Sequence, residues 1–303
     1  MDELDTQLEV DTQLWVLAAI GRLAAAGLTD TPIPADDDPV AAATQRLLLE
    51  AGWLTDAPFG LSAMARSTIP PGAPTSSAAG YVRELLACAT RYVDGAAPGW
   101  AESDPGLIRW RGAASAAIVG HILDSCYPHL PGFPDRLAAP GAAFLDVGTG
   151  AGCIAINLCR DFPTLRAVGL DVSQPAIKVA REDVDGVGLG DRLEIREESV
   201  GELSDISAFD LLWLPQPFIA PDVLSTALPR LFAAARPGAA LVMVVAANRH
   251  SGLVGAATEL RNLMTGGATM QLDTAAELVA RCGFERVRPI SGPAGDLLTA
   301  MRA

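Results

Sequence analysis

From Pro140 onward the chain alternates short apolar runs with helical segments, and this alternation limits its fold more than any other feature. Strands that are buried on both faces read as continuous apolar runs, and parallel strands need a crossover helix between them. The pattern therefore predicts an α/β fold with a mostly parallel sheet and helices on both faces. The predicted strands are residues 143–147, 167–172, 193–196, 209–214 and 239–246. A further helix and two closing strands bring the predicted sheet to seven strands.

The residues before Pro140 predict a mainly helical front part. A first helix ends near Gly27, and a second runs from Asp38-Pro39 to Glu50, with the carboxylate as cap and proline in the first turn. A turn-rich hairpin follows, and the order helix, helix, hairpin resembles a winged helix. Further helices are predicted at about 79–93 and 107–127. We divide the chain into three parts, residues 1–75, 76–139 and 140–303.

Charge argues against nucleic acid as a partner. Residues 1–75 carry three arginines against eleven aspartates and glutamates, and the whole chain has a net charge of −14. Binding to a phosphate backbone depends on Lys and Arg side chains that neutralise it. We therefore interpret the winged-helix-like part as a dimerisation module of a homodimer. A regulator that binds DNA through this part is the rival class.

The sequence indicates neither a membrane-spanning segment nor a metal site. The longest apolar run, residues 239–247, has nine residues, whereas a membrane span needs about twenty. The acidic start MDELDTQLEVD does not look like a targeting signal, so we expect a cytoplasmic protein. The five cysteines and three histidines follow neither a disulfide nor a metal-ligand spacing, and we expect no metal.

The strongest motif is the glycine-rich segment FLDVGTGAGC at residues 144–153. The first predicted strand ends in Asp146, and Gly148, Gly150 and Gly152 then alternate where the chain turns into a helix. Glycines suit such a loop because its backbone takes turns that are closed to other residues and lets a ligand lie against it. The spacing also satisfies a loose form of the dinucleotide fingerprint, which leaves NAD as an alternative.

Two carboxylates favour a different ligand. Asp146 would repel a pyrophosphate but suits a ligand with an ammonium group. Asp171 ends the next strand, 19 residues after Gly152, where a carboxylate can bind both ribose hydroxyls. A nicotinamide enzyme would also need a substrate domain after the fold, and no residues remain for one.

Together these motifs resemble the class I S-adenosylmethionine-dependent methyltransferases over residues 140–303. The front part resembles the dimerising N-terminal region of the small-molecule, natural-product members of that family. The resemblance implies a Rossmann-like sheet, S-adenosylmethionine as cofactor and S-adenosylhomocysteine as product.

The resemblance also implies roles for particular residues. Asp146 and the loop glycines would hold the methionine end of the cofactor. Asp171 would bind the ribose. Val172, Ser199 and Val200 would contact the adenine. Leu214 and Pro215 would lie next to the activated methyl group.

The segment after the fourth predicted strand bears on the acceptor. Plant-like O-methyltransferases place a histidine there, and this chain has none. Amino-methyltransferases instead carry Asn-Pro-Pro-aromatic, and here Pro215, Gln216, Pro217 and Phe218 occupy those positions, so that only the last two match. Gln216 can orient a substrate through its amide, and Phe218 can stack on it.

Other candidates come from scarce residue types. His250, after the fifth predicted strand, and His121, on the helix before the fold, are the candidate bases. Trp110 and Tyr92 are candidate substrate-stacking residues, with core packing as the alternative.

We predict methyl transfer to a small aromatic or heteroaromatic metabolite, by in-line displacement dominated by positioning. The missing histidine favours a carbon or nitrogen acceptor, such as an indole-type ring. The alternatives are an O-methyltransferase with a histidine base, and a cofactor-binding cyclase or rearrangement enzyme that transfers no methyl group.

Overall fold

The computed structural model describes residues 3–25, 38–56, 59–67, 76–100, 104–247, 251–292 and 295–303. The chain divides into two compact units, Met1–Val93 and Asp94–Ala303. Residues 76–93 group with the first unit because they form a helix that packs on the first helix of the chain. The three-part division predicted from the sequence, with boundaries after residues 75 and 139, stays a prediction.

The first unit contains four helices and one hairpin among its described residues. In chain order these are α1 (Glu3–Ala25), α2 (Pro39–Glu50), β1 (Leu54–Asp56), β2 (Phe59–Leu61), α3 (Ala63–Ser67) and α4 (Ser76–Val93). The order helix, helix, hairpin agrees with the sequence prediction. The Asp38 carboxylate accepts hydrogen bonds from the backbone N–H groups of Val40 and Ala41, as expected of a helix cap.

Helix α1 has 23 residues and starts at Glu3, a start for which the sequence analysis gave no prediction. The predicted end at Gly27 lies outside the described residues. The α1 side chains of Ala19, Ile20 and Leu23 are buried in a core shared with α2 and the hairpin. By contrast Leu14, Trp15 and Leu17 leave 59%, 67% and 52% of their surface exposed.

The second unit has the predicted alternation of strands and helices. It begins with α5 (Pro105–Cys126) and α6 (Asp135–Ala138). The elements that follow are β3 (Ala143–Val147), α7 (Cys153–Asp161), β4 (Arg166–Asp171), α8 (Gln174–Gly186), β5 (Leu193–Glu197), β6 (Phe209–Pro215), α9 (Pro221–Ala234), β7 (Ala235–Val245), α10 (Gly252–Met264), α11 (Leu272–Arg281), β8 (Glu285–Gly292) and β9 (Gly295–Met301).

Among the described residues these strands form a seven-stranded sheet in the order β5-β4-β3-β6-β7-β9-β8. The first five are parallel, and β9 runs antiparallel to both β7 and β8. The fold class predicted from the sequence is thereby confirmed. The chain order reverses beside β3, where β4 lies on one side and β6 on the other. Ligands of open α/β sheets bind at the carboxyl ends of the strands at such a reversal.

A buried carboxylate fixes the start of β6. Asp210 is 5% exposed, and its Oδ1 accepts a hydrogen bond of 2.9 Å from Nε of Arg136. Its Oδ2 accepts from Nη1 of Arg236 at 2.6 Å and from the backbone N–H of Ala143 at 2.9 Å. A buried charge is tolerated only when it is paired and hydrogen-bonded in this way. Asp210 therefore joins β3, β6 and α6 at the amino end of the sheet.

We expect Asp210→Ala to lower the free energy of unfolding by about 3–5 kcal/mol, because it leaves two partly buried arginines without their carboxylate. Urea denaturation followed by circular dichroism measures this change. Asp191→Ala, which removes an exposed carboxylate from the same unit, should change the value by less than about 0.5 kcal/mol. Equal stabilities of the two variants would contradict the role given to Asp210.

Candidate functional site

The loop after β3 is built by glycines in left-handed backbone conformations. Gly148, Gly150 and Gly152 have φ angles of 66°, 57° and 75°, a region that L side chains rarely adopt. A Cβ atom placed on Gly150 would meet no described atom within 4 Å. The loop thus leaves open space above its backbone, directly before the first turn of α7.

A buried carboxylate lies beneath this loop. Asp146 is fully buried, and its Oδ2 accepts a hydrogen bond of 2.8 Å from the Thr149 hydroxyl. Its Oδ1 has no hydrogen-bond partner within the part of the chain that the structure describes. Burial raises the pKa of Asp146 to about 7. An acceptor atom without a partner in such a place calls for a donor from a ligand.

Asp171 ties the glycine loop to the next strand. Its Oδ2 accepts a hydrogen bond of 2.9 Å from the Gly150 N–H, and its Oδ1 accepts one of 2.9 Å from the Ser173 N–H. Burial raises the pKa of this carboxyl, and the backbone hydrogen bonds act in the opposite direction. The side chain keeps partial exposure, and each carboxylate oxygen has a second lone pair for a ligand hydroxyl.

The predicted adenine contacts differ in their exposure. Val172 is 69% exposed directly after β4, so its side chain is open to a ligand. The Ser199 hydroxyl accepts a hydrogen bond of 3.2 Å from the Gly201 N–H and caps a 3₁₀ turn at Val200–Glu202. The Val200 side chain is only 4% exposed and packs in the core, so it offers a ligand little surface.

The end of β6 meets the glycine loop. The Pro215 ring lies 3.4 Å from the position that a Cβ of Gly148 would take. The Leu214 side chain is completely buried in the core, so Pro215 is the residue of this pair that borders the loop. The glycine loop, predicted to hold the methionine end, and the end of β6, predicted to lie next to the methyl group, are therefore adjacent.

Gln216 follows in a 3₁₀ turn, Gln216–Phe218, and both ends of its amide are engaged. Its Nε2 donates to the Ala268 carbonyl at 2.8 Å, and its Oε1 accepts from the Ala246 N–H at 3.0 Å. The residue is 1% exposed. In this arrangement the amide connects the end of β7 with the segment after α10. That Gln216 orients a substrate stays a prediction. The contacts of its amide favour an indirect role, in which Gln216 holds the surrounding backbone.

Phe218, at the end of the same turn, is 37% exposed and belongs to an aromatic cluster. Its ring centroid lies 6.3 Å from that of Trp100, edge to face at 83°. The Cζ atom of Arg111 lies 4.8 Å from the Phe218 centroid and 5.8 Å from the Trp100 centroid. We call Trp100, Arg111 and Phe218 the aromatic–arginine cluster.

The other predicted stacking residues, Trp110 and Tyr92, are not described as part of this cluster. Trp110 is on α5, partly buried, and its Nε1 has no hydrogen-bond partner among the described residues. Tyr92 is 53% exposed on α4 and belongs to the first unit. Neither residue has a described ring contact with the cluster.

The histidine candidates cannot be placed in the site. His250 lies outside the described residues. His121 falls within α5, but its side chain is not among those that the structure describes. The described residues contain no group of three His, Cys, Asp or Glu side chains that would hold a metal ion. In the same residues no helix is long and apolar enough to cross a membrane.

Known proteins resemble this chain both in sequence and in fold. A family model described as a methyltransferase domain matches residues 144–238. A release factor glutamine methyltransferase of Cereibacter sphaeroides is 31% identical over 224 residues, which cover 71% of this chain and 68% of the relative. The chain belongs to the class I S-adenosylmethionine-dependent methyltransferases. A release factor glutamine methyltransferase of Chlorobaculum tepidum is 40% identical over 95 residues, 28% of this chain and 32% of that relative.

Solved structures match the whole chain. An O-methyltransferase family protein from Burkholderia thailandensis superimposes with a TM-score of 0.70 at 16% identity, over 100% of this chain and 99% of that one. The structure of mitomycin 7-O-methyltransferase superimposes with a TM-score of 0.66 at 21% identity, over 99% of this chain and 97% of that one. The structure of human N-acetylserotonin methyltransferase in complex with S-adenosylmethionine superimposes with a TM-score of 0.62 at 15% identity. The match covers 100% of this chain and 99% of that one. At these identities the likeness shows a shared fold.

S-adenosylmethionine is the cofactor of this methyltransferase, and it supplies an electrophilic methyl group. The residues present fit it, because the loop is open above Gly150 and Asp146 has an unpartnered oxygen beneath it. Asp146 and the loop backbone would hold the methionine end, and Asp171 would hold the ribose hydroxyls. Pro215 would border the methyl end.

The sequence analysis missed Thr149 and Gly169. Thr149 holds the Asp146 carboxylate, and a Cβ on Gly169 would lie 2.6 Å from the Thr149 hydroxyl oxygen. Gly169 therefore makes room for the side chain that fixes the loop. A small residue opposite Asp146 in the β3–β4 register was the available signal, because it faces the loop across the strands.

We expect the affinity for S-adenosylhomocysteine to fall about tenfold between pH 8 and pH 6, measured by calorimetric titration. The pKa of Asp146 is raised to about 7, so its carboxyl is mostly ionised at pH 8 and mostly protonated at pH 6. Only the ionised form attracts the ligand ammonium group.

Asp146→Asn should bind more weakly at pH 8 and show a flat profile over the same range. Asp171→Ala serves as the comparison, since its loss of ribose contacts should weaken binding at every pH without flattening the profile. A wild-type profile that is already flat would contradict the role of Asp146.

Proposed function

We propose that this methyltransferase acts on a small, planar aromatic or heteroaromatic metabolite. The observation that carries the proposal is the position of the Phe218 ring, three residues after Pro215, which borders the glycine loop. An exposed ring that follows so closely in sequence on the residue that would border the methyl end offers a flat apolar surface on which a flat acceptor would stack. Trp100 adds a second ring beside it.

The turn after β6 supports an acceptor that is already nucleophilic. Pro215, Pro217 and Phe218 carry no acid or base, and the Gln216 amide is engaged at both ends. We therefore propose a carbon or nitrogen acceptor on an electron-rich ring of the indole type. The acceptor atom forms its bond to the methyl carbon as the bond to the sulfur breaks and S-adenosylhomocysteine leaves, and the acceptor's proton is then lost to solvent. Alignment with the methyl group would therefore matter more than a protein base. Alignment would come from stacking on Phe218.

O-methylation with a histidine base is the second candidate. It is favoured by the fold neighbours, among them an O-methyltransferase family protein and a mitomycin 7-O-methyltransferase. The base would be His250 or His121. A third possibility, methylation of a glutamine amide, follows from the sequence relatives. Pro215 counts against it, because proline has no side-chain amide to hold the substrate nitrogen.

The decisive experiment incubates the protein and S-adenosylmethionine with indole-type rings, matched phenols and a glutamine-containing peptide. We expect a mass gain of one methylene, about 14 Da, on an indole-type ring, with the methylated atom located by NMR. A mass gain confined to phenols supports the O-methyl candidate, and one confined to the peptide overturns the small-molecule proposal. A product of unchanged mass indicates the cyclase or rearrangement alternative.

His250→Ala and His121→Ala separate the first two candidates. Both variants should keep turnover within about threefold of wild type if no base is needed. A fall of 10²-fold or more in either, with unchanged S-adenosylhomocysteine binding, indicates general-base catalysis and an oxygen acceptor. The binding titration distinguishes this result from a loss of folding.

We further propose that the first unit forms a homodimer and does not bind nucleic acid. Leu14, Trp15 and Leu17 are large apolar side chains exposed along one stretch of α1. Exposed apolar groups of this kind gain stability when a second copy covers them.

Light scattering after size exclusion should give twice the 31.4 kDa chain mass for the wild type. Trp15→Glu with Leu17→Glu should shift it toward the monomer, because charges at a buried contact are costly. Exposed Asp56→Ala, in the same unit, is the control. A monomeric wild type would contradict the proposed dimer. A gel shift with duplex DNA at low salt would contradict the expectation, based on the negative charge, that the first unit does not bind nucleic acid.

A further inference from the structure

We infer that Thr149 is a positioning residue whose hydroxyl keeps Asp146 in its ionised form and thereby sets the pH range over which the cofactor binds. The inference concerns the cofactor site and does not depend on which acceptor is methylated. It is carried by the hydrogen bond of 2.8 Å that the Thr149 hydroxyl donates to Oδ2 of this fully buried carboxylate. Asp146 would contact the cofactor, and Thr149 would act only through Asp146.

The backbone of Thr149 is fixed on both sides, which limits the directions open to its side chain. Its N–H donates to the Leu170 carbonyl at 2.9 Å, and its carbonyl oxygen accepts from the Gly152 N–H at 2.8 Å. The residue is only 4% exposed. Threonine is branched at Cβ, so rotation about its χ1 angle is restricted. The fold itself therefore holds the hydroxyl toward Asp146.

The neighbouring strand leaves room for this side chain. Gly169 on β4 is paired with Asp146 on β3. A Cβ at position 169 would lie 2.6 Å from the Thr149 hydroxyl oxygen and 2.9 Å from its Cβ and Cγ2 atoms. These distances are shorter than real contacts of a Cβ atom, so a side chain at position 169 would push Thr149 away from the carboxylate. Glycine at this position is therefore part of the same arrangement.

A hydroxyl donor favours the ionised carboxylate over the neutral carboxyl. The Thr149 O–H can donate to either form, but a hydrogen bond to a charged acceptor is about twice as strong as one between neutral groups. Burial raises the pKa of Asp146 to about 7, and the hydrogen bond from Thr149 opposes this rise. Without that bond the pKa would be higher still, and the carboxyl would be mostly protonated at neutral pH.

The other groups around Asp146 supply no positive charge. The Asp171 carboxylate on β4 raises the pKa of Asp146, whereas the backbone of Ala155 on α7 lowers it. Burial raises the pKa of Cys153, at the start of α7, to about 11, so this thiol is neutral at neutral pH. Within the described part of the chain no cation contributes to the pKa of Asp146. Thr149 is thus the side chain that favours the charged form.

The test compares wild type with Thr149→Val, which keeps the branched shape of the side chain and removes its hydroxyl. S-adenosylhomocysteine is titrated calorimetrically into the full-length protein at pH 6, 7, 8 and 9 and constant ionic strength. We expect the pKa of Asp146 to rise by about one unit in the variant, because a hydrogen bond to a charged group is lost. Affinity should then fall about fivefold at pH 7 and return to within about twofold of wild type at pH 9.

The ratio of the two affinities at each pH distinguishes this role from support of the loop alone. The ligand ammonium group titrates identically in both experiments and cancels from the ratio. A general loosening of the loop would weaken binding by the same factor at every pH. Thr149→Ser should restore the wild-type profile, because it returns the hydroxyl. In an Asp146→Asn background, adding Thr149→Val should change the affinity by a factor that does not vary with pH.

Two further variants test the space and the specificity of the effect. Gly169→Ala should reproduce the pH shift of Thr149→Val, because the added methyl group displaces the hydroxyl. Thr164→Val removes an exposed hydroxyl that donates to the Ala138 carbonyl at 3.1 Å, and it should leave the profile unchanged. Circular dichroism of every variant shows whether the fold is intact.

An affinity ratio for Thr149→Val that stays constant from pH 6 to pH 9 overturns the inference, and so does a Thr149→Ser variant that behaves like Thr149→Val. A flat wild-type profile also overturns it, since Asp146 then does not titrate in this range. The acceptor proposals are unaffected by these outcomes, because the titrations contain no acceptor.

Discussion

The hydrogen bond between the Thr149 hydroxyl and the buried Asp146 carboxylate is the contact on which the cofactor site depends. It sets the height of the glycine loop above β3, and the Gly150–Asp171 hydrogen bond then sets its distance from β4. Gly169 is small because Thr149 needs the space. The loop is thus held from below and from one side by side chains, and its upper face is left to a ligand.

Two buried aspartates at opposite ends of the sheet illustrate how function and stability differ. Asp210 has both oxygens occupied, by two arginines and one backbone N–H, and it serves to join strands. Asp146 is buried more completely and has one oxygen without a described partner. Burial of a carboxylate without full compensation is unfavourable. Because this incompletely compensated carboxylate lies under the glycine loop, Asp146 suits a ligand-binding role, whereas Asp210 suits a structural one.

The sequence predicted the parts of the molecule that depend on local patterns. The strands of the sheet, the glycine loop, the Asp38 helix cap and the hairpin all follow from short-range periodicity or turn chemistry. The length of α1 did not, because its acidic first turns lack a clear apolar period. The aromatic–arginine cluster could not be predicted, since Trp100 and Phe218 lie 118 positions apart and only tertiary packing brings them into contact. The hydrogen bonds of the Gln216 amide to Ala246 and Ala268 could not be predicted for the same reason.

Under the proposed function, the segment Pro215–Phe218 would suit this chain to an acceptor other than the glutamine named for its sequence relatives. Position 215 carries a proline where the amino-methyltransferase pattern has asparagine, and the proline ring lies against the glycine loop. The amide that remains, one residue later, turns into the protein and holds the backbone. Under the proposed function, an apolar surface would take the place of polar recognition of a substrate N–H. The Arg111 guanidinium, on α5, lies 4.8 Å from the Phe218 ring centroid, so the surroundings of this ring are built by two elements that are distant in sequence.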